Sequence, residues 1–182
     1  MFSSVGLTMT NMLQTTHLSK SFSYKQGGLS RMAGKLGLPA KEQQKVHAVS
    51  DVSLSVESGE VLGLVGESGC GKSTVGRMIA GLLPATSGSL SFNGQDITRP
   101  SVETHLNIQM VFQNPYASLN PRQRIDRVIS EAAVYHGLVE KGQASAFVAS
   151  LLSQVGLDPS YASRYPHQFS GGQRQRIAIA RA

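Results

Sequence analysis

A short glycine-rich stretch constrains the fold of this chain more than any other feature. It reads GESGCGKST at residues 66–74 and matches the pattern G-x-x-x-x-G-K-[ST]. The apolar run VLGLV at 61–65 comes directly before it, and a segment with helical periodicity, 73–83, follows and ends at Pro84. A buried strand, a tight loop and a helix in this order predict an α/β fold.

The residue types in this stretch suit a phosphate ligand. Glycine permits backbone angles that are closed to other residues, so successive N–H groups can point into one concavity. Lys72 can reach the β- and γ-phosphates, and the Ser73 hydroxyl can bind Mg²⁺. A glycine-rich turn with an unrelated lysine is the alternative, and the flanking strand and helix argue against it. The residues predicted to bind phosphate are Gly66, Glu67, Ser68, Gly69, Cys70, Gly71, Lys72, Ser73 and Thr74.

A second glycine-rich segment, FSGGQRQR, begins at residue 169 and leads into a predicted helix. Ser170 is a good N-cap, and the two glycines after it let backbone N–H groups face outward. The segment therefore predicts a second anion site at a helix start. An ordinary capped helix with solvated Arg174 and Arg176 explains the same residues equally well.

Gln113 ends another apolar run, NIQMVFQ at 107–113, which we predict to be a strand. A glutamine at a strand end near a phosphate loop could offer its amide oxygen to Mg²⁺ or to an attacking water. Taken alone this signal is weak, because glutamine is common at strand ends.

The rest of the chain predicts sheet in the first half and helix in the second. An Asn-Gly pair within 87–97 marks a hairpin turn, and glycines end two amphipathic segments. The composition of 25–45, with five basic residues, four glycines and a proline, predicts an exposed basic loop. The predicted elements are an edge strand at 13–24, a strand at 46–56, the hairpin at 87–97, helices at 122–137 and 142–156, and a last helix from about Ser170.

Composition limits the function classes. The sequence contains no run of 18 apolar residues, so it predicts no transmembrane helix. The single cysteine, Cys70, fits a reducing compartment. The net charge of +6 indicates either a solvated basic surface or an acidic partner such as ATP, anionic lipid or nucleic acid. No nucleic-acid-binding motif supports the last of these. The five histidines lack the spacing of metal ligands.

The order and spacing of the three motifs resemble those of the nucleotide-binding subunits of ABC transporters. Residues 66–74 resemble the Walker A loop, Gln113 the Q-loop glutamine, and FSGGQ the LSGGQ signature with Phe169 in place of leucine. The stretches VFQNPYASLNPR (111–122) and RYPHQFSGGQRQRIAIARA (164–182) resemble the oligopeptide and dipeptide importers in particular. The basic insertion 25–45 fits that subgroup, which also includes importers of nickel and glutathione.

The resemblance implies a P-loop NTPase fold of the ABC type, with an antiparallel β subdomain and an inserted helical subdomain. We expect a nucleotide-binding core over about 1–115, a helical subdomain over about 116–170 and the signature helix at 170–182. In the family, a further apolar strand ends in Asp-Glu, and a histidine follows later. This chain has no acidic residue after Asp158. We therefore expect a partial cassette with an incomplete sheet, which alone binds nucleotide weakly and does not hydrolyse it.

The resemblance also implies site roles. Two subunits pair head to tail, so that Ser170, Gly171, Gly172 and Gln173 of one subunit contact the ATP of the other. Lys72 and Gln113 take the catalytic roles, while Ser73 and Gln113 hold Mg²⁺. An aromatic residue near the end of the first strand stacks on adenine, and Phe22 is the best match, with Tyr24 as the second choice; plain packing is the alternative for both.

The function implied is that of an ATP-binding subunit that powers import of peptides or related small solutes. Its partners are a second ATP-binding subunit, identical or different, transmembrane permease subunits, and indirectly a solute-binding protein, without nucleic acid. Its place is the cytoplasmic face of the cell membrane. The alternatives are a non-catalytic nucleotide-binding fragment and a soluble ABC-type ATPase that acts on nucleic acid.

Overall fold

The structure is a computed structural model that describes residues 11–23, 45–99, 101–113 and 119–182. The predicted basic insertion lies outside the described residues except for its last residue, Lys45, and so does Tyr24. The chain divides into two compact units, Met1–Gln109 and Met110–Ala182.

The first unit contains an antiparallel sheet. Its strands are β1 (Asn11–Ser23), β2 (Lys45–Glu57), β3 (Ser87–Phe92) and β4 (Gln95–Asp96), in the order β2-β1-β3-β4. The predicted hairpin is confirmed, because β3 pairs with β4 around Asn93 and Gly94, which both have positive φ. The prediction that 13–24 is an edge strand is wrong: β1 lies between β2 and β3.

An irregularity in β1 explains why its alternation is too loose to indicate a central strand. His17 and, across the ladder, Asp51 have φ of 50° and 53°, and the register shifts around them. Side chains replace the lost ladder bonds: Ser53 Oγ accepts a bond from His17 N, and Ser19 Oγ accepts one from Asp51 N, both at 2.9 Å. His17 Nδ1 lies 2.5 Å from Asp51 Oδ1.

Thr15 is a buried residue of β1 that lies next to this irregularity. Its side chain is only 2% exposed. Its hydroxyl donates to Val52 O at 3.2 Å and accepts a bond from Leu54 N at 3.0 Å. One side chain thus bonds two backbone groups of β2, next to the shift in register.

One helix packs on the sheet of the first unit. Helix α1 (Lys72–Ile79) begins at the lysine of the glycine-rich stretch and is shorter than the predicted 73–83. Its buried side chains Val75 and Met78 form a cluster with Leu18 of β1 and Val49 of β2. This cluster fixes the start of α1, and the loop before it, against the sheet.

The two apolar runs predicted as buried strands are not strands. Residues 61–65 have no secondary structure, and Val61 and Val65 are 95% and 96% exposed. Helix α2 (Val102–Asn107) takes up the start of the second run, and 108–113 is irregular. A central strand requires hydrogen-bonded neighbours, and within the described ranges no strand pairs with either run.

The second unit is helical, as predicted. It consists of α3 (Ile125–Tyr135), α4 (Ala144–Gln154) and α5 (Gly171–Arg181), joined by short 3₁₀ turns. Glycines in the left-handed region follow the first two helices, at Gly137 and Gly156. The helices and turns enclose one core of Leu119, Ile125, Val128, Ile129, Val148, Leu152, Leu157, Phe169, Ile177 and Ala180.

Within the described part of the chain, no helix combines the length and the apolar character needed to cross a bilayer.

Thr15→Val tests whether the buried hydroxyl stabilises the sheet. Valine keeps the shape but removes the hydroxyl bonds to Leu54 N and Val52 O, so the free energy of unfolding should fall by about 1–3 kcal/mol. Thr16→Val is the matched control, because the neighbouring threonine is exposed, and it should change stability by less than about 0.5 kcal/mol. Urea unfolding followed by circular dichroism measures both. Equal losses in the two variants would contradict the assignment.

Candidate functional site

The glycine-rich stretch forms an open loop with an unusual backbone. Gly66, Gly69 and Gly71 have φ of 154°, 85° and 102°, a region that side-chain-bearing residues rarely adopt. The conformation of this loop therefore requires glycine at all three positions, two of which, Gly66 and Gly71, belong to the pattern. As predicted from the sequence, the loop runs directly into a helix.

Gly71 also meets a steric limit. A Cβ atom placed on it would lie 2.4 Å from the Ala48 carbonyl oxygen of β2 and 3.3 Å from Val49 Cγ2. Only glycine allows α1 to begin this close to the sheet.

The side chain of Lys72 folds back over the loop. Its Nζ donates to Gly66 O at 2.7 Å and to Glu67 O at 2.6 Å, and it lies 3.3 Å from Cys70 Sγ. An ammonium group has three N–H donors, and these three acceptors match them in number. The loop thus encloses a positive charge at the start of a helix.

The start of α1 adds to the positive potential. Gly71 is the N-cap and has no side chain to offer the helix, and the first turn contains no acidic residue. The N-terminal partial charge of α1 is therefore not neutralised locally. Positive-φ glycines, a lysine ammonium and an uncapped helix start fit phosphate groups, and the exposed Ser73 hydroxyl in the same turn suits a hard cation such as Mg²⁺.

Cys70 shares this electrostatic environment. The hydrogen bond from the Lys72 ammonium lowers the pKa of the Cys70 thiol, because the positive charge stabilises the thiolate. The thiol is exposed, and it is the only cysteine in the chain.

The second glycine-rich segment forms a capping box. Ser170 is the N-cap of α5; its Oγ accepts a bond from Gln173 N at 3.3 Å, and Gln173 Oε1 accepts one from Ser170 N at 3.0 Å. Gly171 and Gly172 are exposed, and a Cβ on either would meet none of the described atoms within 4 Å. The space on the Cβ side of both glycines is therefore open.

Apolar side chains on both sides of the Ser170 turn pack into the core of the second unit. Phe169, which replaces the expected leucine, is buried and packs edge-on against Tyr161 with ring centroids 5.6 Å apart. Ile177, one turn into α5, is fully buried. Phe169 and Ile177 therefore anchor the two sides of the Ser170 turn in the core of the second unit.

Two of the arginines of α5, Arg174 and Arg176, bond to backbone oxygens. Arg174 Nε donates to Pro166 O at 2.8 Å, and Arg176 donates to Gly156 O at 3.3 Å. A surface pocket of about 340 Å³ lies beside the turn and is lined by Gly156, Leu157, Asp158, Tyr161, Ser170, Gly172, Gln173 and Arg176.

The remaining predicted site residues, Gln113 and Phe22, are exposed. Gln113 is exposed at a bend in the second unit, and it does not end a strand. Phe22 lies near the end of β1 and is 40% exposed, with the Lys20 ammonium 5.2 Å from its ring centroid. Sequence reasoning missed Lys20, although its position two residues before Phe22 places it on the same strand face. Across the described ranges, no group of three or more His, Cys, Asp or Glu could hold a metal ion.

Alkylation of Cys70 reports directly on the Lys72 contact. Because the ammonium lowers the thiol pKa, Lys72→Met should move the pH of half-maximal iodoacetamide labelling upward. Arg77→Met removes the same charge from the exposed far end of α1 and should leave that pH nearly unchanged. Mass spectrometry measures the rates, and urea-unfolded wild type and Lys72→Met should titrate alike. The same shift in both folded variants would contradict a specific contact.

Comparison with known proteins supplies the wider context of both motifs. The family model described as ABC transporter matches residues 49–182. The chain is 51% identical over 151 residues to the oligopeptide transport ATP-binding protein AppF of Bacillus subtilis, covering 80% of this chain and 46% of that protein. It is 45% identical over 174 residues to the glutathione import ATP-binding protein GsiA of Pectobacterium atrosepticum, covering 93% of this chain and 26% of that protein. The chain thus spans less than half the length of these relatives.

Solved structures establish the fold. The ATP-binding cassette MJ0796, solved as a dimer in a post-hydrolysis state bound to ADP and Pi, superposes with a TM-score of 0.70 at 24% identity. That match covers 93% of this chain and 68% of the other. CbiO1 of Clostridium perfringens gives a TM-score of 0.67 at 23% identity, covering 94% of this chain and 60% of that one. The fold predicted from the motifs, a P-loop NTPase of the ABC type, is confirmed, and the chain belongs to the ABC transporter family.

Proposed function

We propose that this chain is the ATP-binding part of a subunit that powers import of peptides, or of related small solutes such as glutathione, across the cell membrane. The observation that carries the proposal is the loop at 66–74, which holds the Lys72 ammonium among backbone carbonyls at the start of α1. The relatives named as oligopeptide and glutathione import ATP-binding proteins support the choice of cargo.

The loop residues suit the triphosphate of ATP. Lys72 would exchange its bonds to Gly66 O and Glu67 O for bonds to the β- and γ-phosphates, which are stronger because both partners are charged. The exposed Ser73 hydroxyl would hold Mg²⁺. Bound ATP supplies the phosphoryl bond whose cleavage drives transport. Phe22, which is partly exposed near the end of β1, would stack on the adenine.

The turn at Ser170–Gln173 suits contact with a nucleotide that is bound mainly by a second subunit. The capping box fixes the turn, while Gly171 and Gly172 face open space. We therefore propose a head-to-tail dimer in which this turn donates hydrogen bonds to the nucleotide of the partner subunit. ATP would then stabilise the dimer by binding the closed state preferentially. Within each subunit we propose a core over about 1–115, a helical subdomain over about 116–170 and the signature helix at 170–182.

Transport requires further partners. We propose transmembrane permease subunits as the direct partners, a solute-binding protein as an indirect one, and a peripheral location on the cytoplasmic face of the membrane. The description of CbiO1 as part of the transporter complex CbiONQ is consistent with such an assembly. Closure of the ATP-binding dimer would move the membrane subunits between their two orientations.

Lys72→Ala should weaken ATP binding strongly, because it removes the ammonium aimed at the phosphates. A charge-assisted contact of this kind contributes about 1.5–3 kcal/mol, which corresponds to about a 10- to 100-fold rise in Kd. Arg77→Ala is the control, since it removes an equal charge from the last turn of the same helix. Titration calorimetry measures both. Equal ATP affinity in wild type and Lys72→Ala would refute the phosphate-loop assignment.

Gly171→Asp should separate the two glycine-rich sites in the complete protein. ATP binding to the isolated subunit should change little, whereas hydrolysis should fall by about 10²–10³-fold, because a carboxylate would repel the partner's γ-phosphate. A mixture of Lys72→Ala and Gly171→Asp subunits should recover part of the activity through one intact composite site in each mixed dimer. Loss of ATP binding by isolated Gly171→Asp subunits would show that the turn acts within its own subunit.

A further inference from the structure

Lys20 and Phe22 form a pair on one face of β1. Side chains two residues apart in a strand point to the same side, and the Lys20 ammonium lies 5.2 Å from the Phe22 ring centroid. This distance is within the range of a cation–π interaction, which draws the ammonium toward the negative face of the ring. Phe22 nevertheless remains 40% exposed.

A second contact holds the ammonium in this place. Lys20 Nζ donates to the Pro84 carbonyl oxygen at 2.5 Å. The segment that contains this carbonyl is tied to β1, because Thr86 N donates to Ser19 O at 2.9 Å and Ser21 N donates to Thr86 Oγ1 at 3.0 Å. Lys20 therefore contacts both the Phe22 ring and a carbonyl that is tied to β1.

We infer that Lys20 is a positioning residue for the adenine of the nucleotide and acts through Phe22. The inference rests on the proposed stacking role of Phe22. Lys20 covers one face of the ring and restricts its rotation, which leaves the other face to the base. A ring ordered in advance loses less conformational entropy on stacking, so the base binds more tightly.

The inference makes the effect of Lys20 specific to the base. A lysine that acted through its charge alone would strengthen binding of any polyphosphate. A lysine that positions Phe22 affects only ligands that carry the base. Inorganic tripolyphosphate shares the phosphate chain of ATP and lacks adenine, so it distinguishes the two cases.

The test measures the Kd of ATP and of tripolyphosphate by titration calorimetry for wild type and Lys20→Met. We expect the Kd of ATP to rise about two- to fivefold, which is the order of the entropy cost of immobilising one side chain on binding. The Kd of tripolyphosphate should stay the same. Lys20→Arg keeps a cation over the ring and a donor for Pro84 O, so it should restore most of the ATP affinity. Thermal melts followed by circular dichroism establish that each variant is folded.

Lys45→Met is the matched control for charge. Lys45 stands opposite Ser23 in the β1–β2 ladder, at the same end of the sheet, and is exposed. Its replacement removes the same charge from the same neighbourhood and should leave both Kd values unchanged. An equal loss of ATP affinity in Lys45→Met and Lys20→Met would overturn the inference, as would a Lys20→Met loss shared by tripolyphosphate.

Phe22→Ala separates the inference from the proposal on which it depends. It should raise the Kd of ATP about fivefold or more and leave that of tripolyphosphate unchanged. The double variant Lys20→Met/Phe22→Ala should then bind ATP as Phe22→Ala does, because the lysine has no ring left to position. Unchanged ATP binding by Phe22→Ala would refute the stacking role itself. A normal loss in Phe22→Ala together with unchanged or tighter binding by Lys20→Met would overturn the role of Lys20 alone.

Discussion

The burial of one face of α1 against the sheet is the contact on which the first unit depends. Val75 and Met78 of the helix meet Leu18 and Val49 of the strands, and this cluster determines where the helix begins. The phosphate loop has no apolar core of its own and takes its position from that start. The close approach of Gly71 to β2 is a consequence of the same packing. Apolar burial thus places the charged side chain that would meet the ligand.

Features that depend on local chemistry could be predicted from the sequence. The phosphate loop follows from the positions of its glycines, the hairpin turn from Asn93 and Gly94, and the start of α5 from Ser170. Features that depend on distant pairing could not. The apolar composition of 61–65 indicates a buried strand, but a strand also requires neighbours, and local sequence does not specify them. The central place of β1 was missed for a related reason, since backbone distortion at His17 weakens its alternation.

The N-termini of α1 and α5 differ in how their backbone N–H groups are capped. At α1, glycine at the N-cap offers no side chain, so the first amides of the helix have no side-chain cap. At α5, Ser170 and Gln173 satisfy each other's backbone N–H groups, which makes that turn rigid before any ligand arrives. The first site is therefore adapted to hold an anion by itself. Under the proposed function, the second presents a fixed shape to the nucleotide of the partner subunit.

The irregularity at His17 and Asp51 also affects how this sheet meets other molecules. β2 is the terminal strand of the described sheet and is 13 residues long, so its outer row of N–H and C=O groups is a potential template for intermolecular strand addition. The left-handed backbone at Asp51 bends that row in the middle, and an incoming strand could align with only one half of it. Distortion held by Ser19 and Ser53 thereby protects a long edge from aggregation.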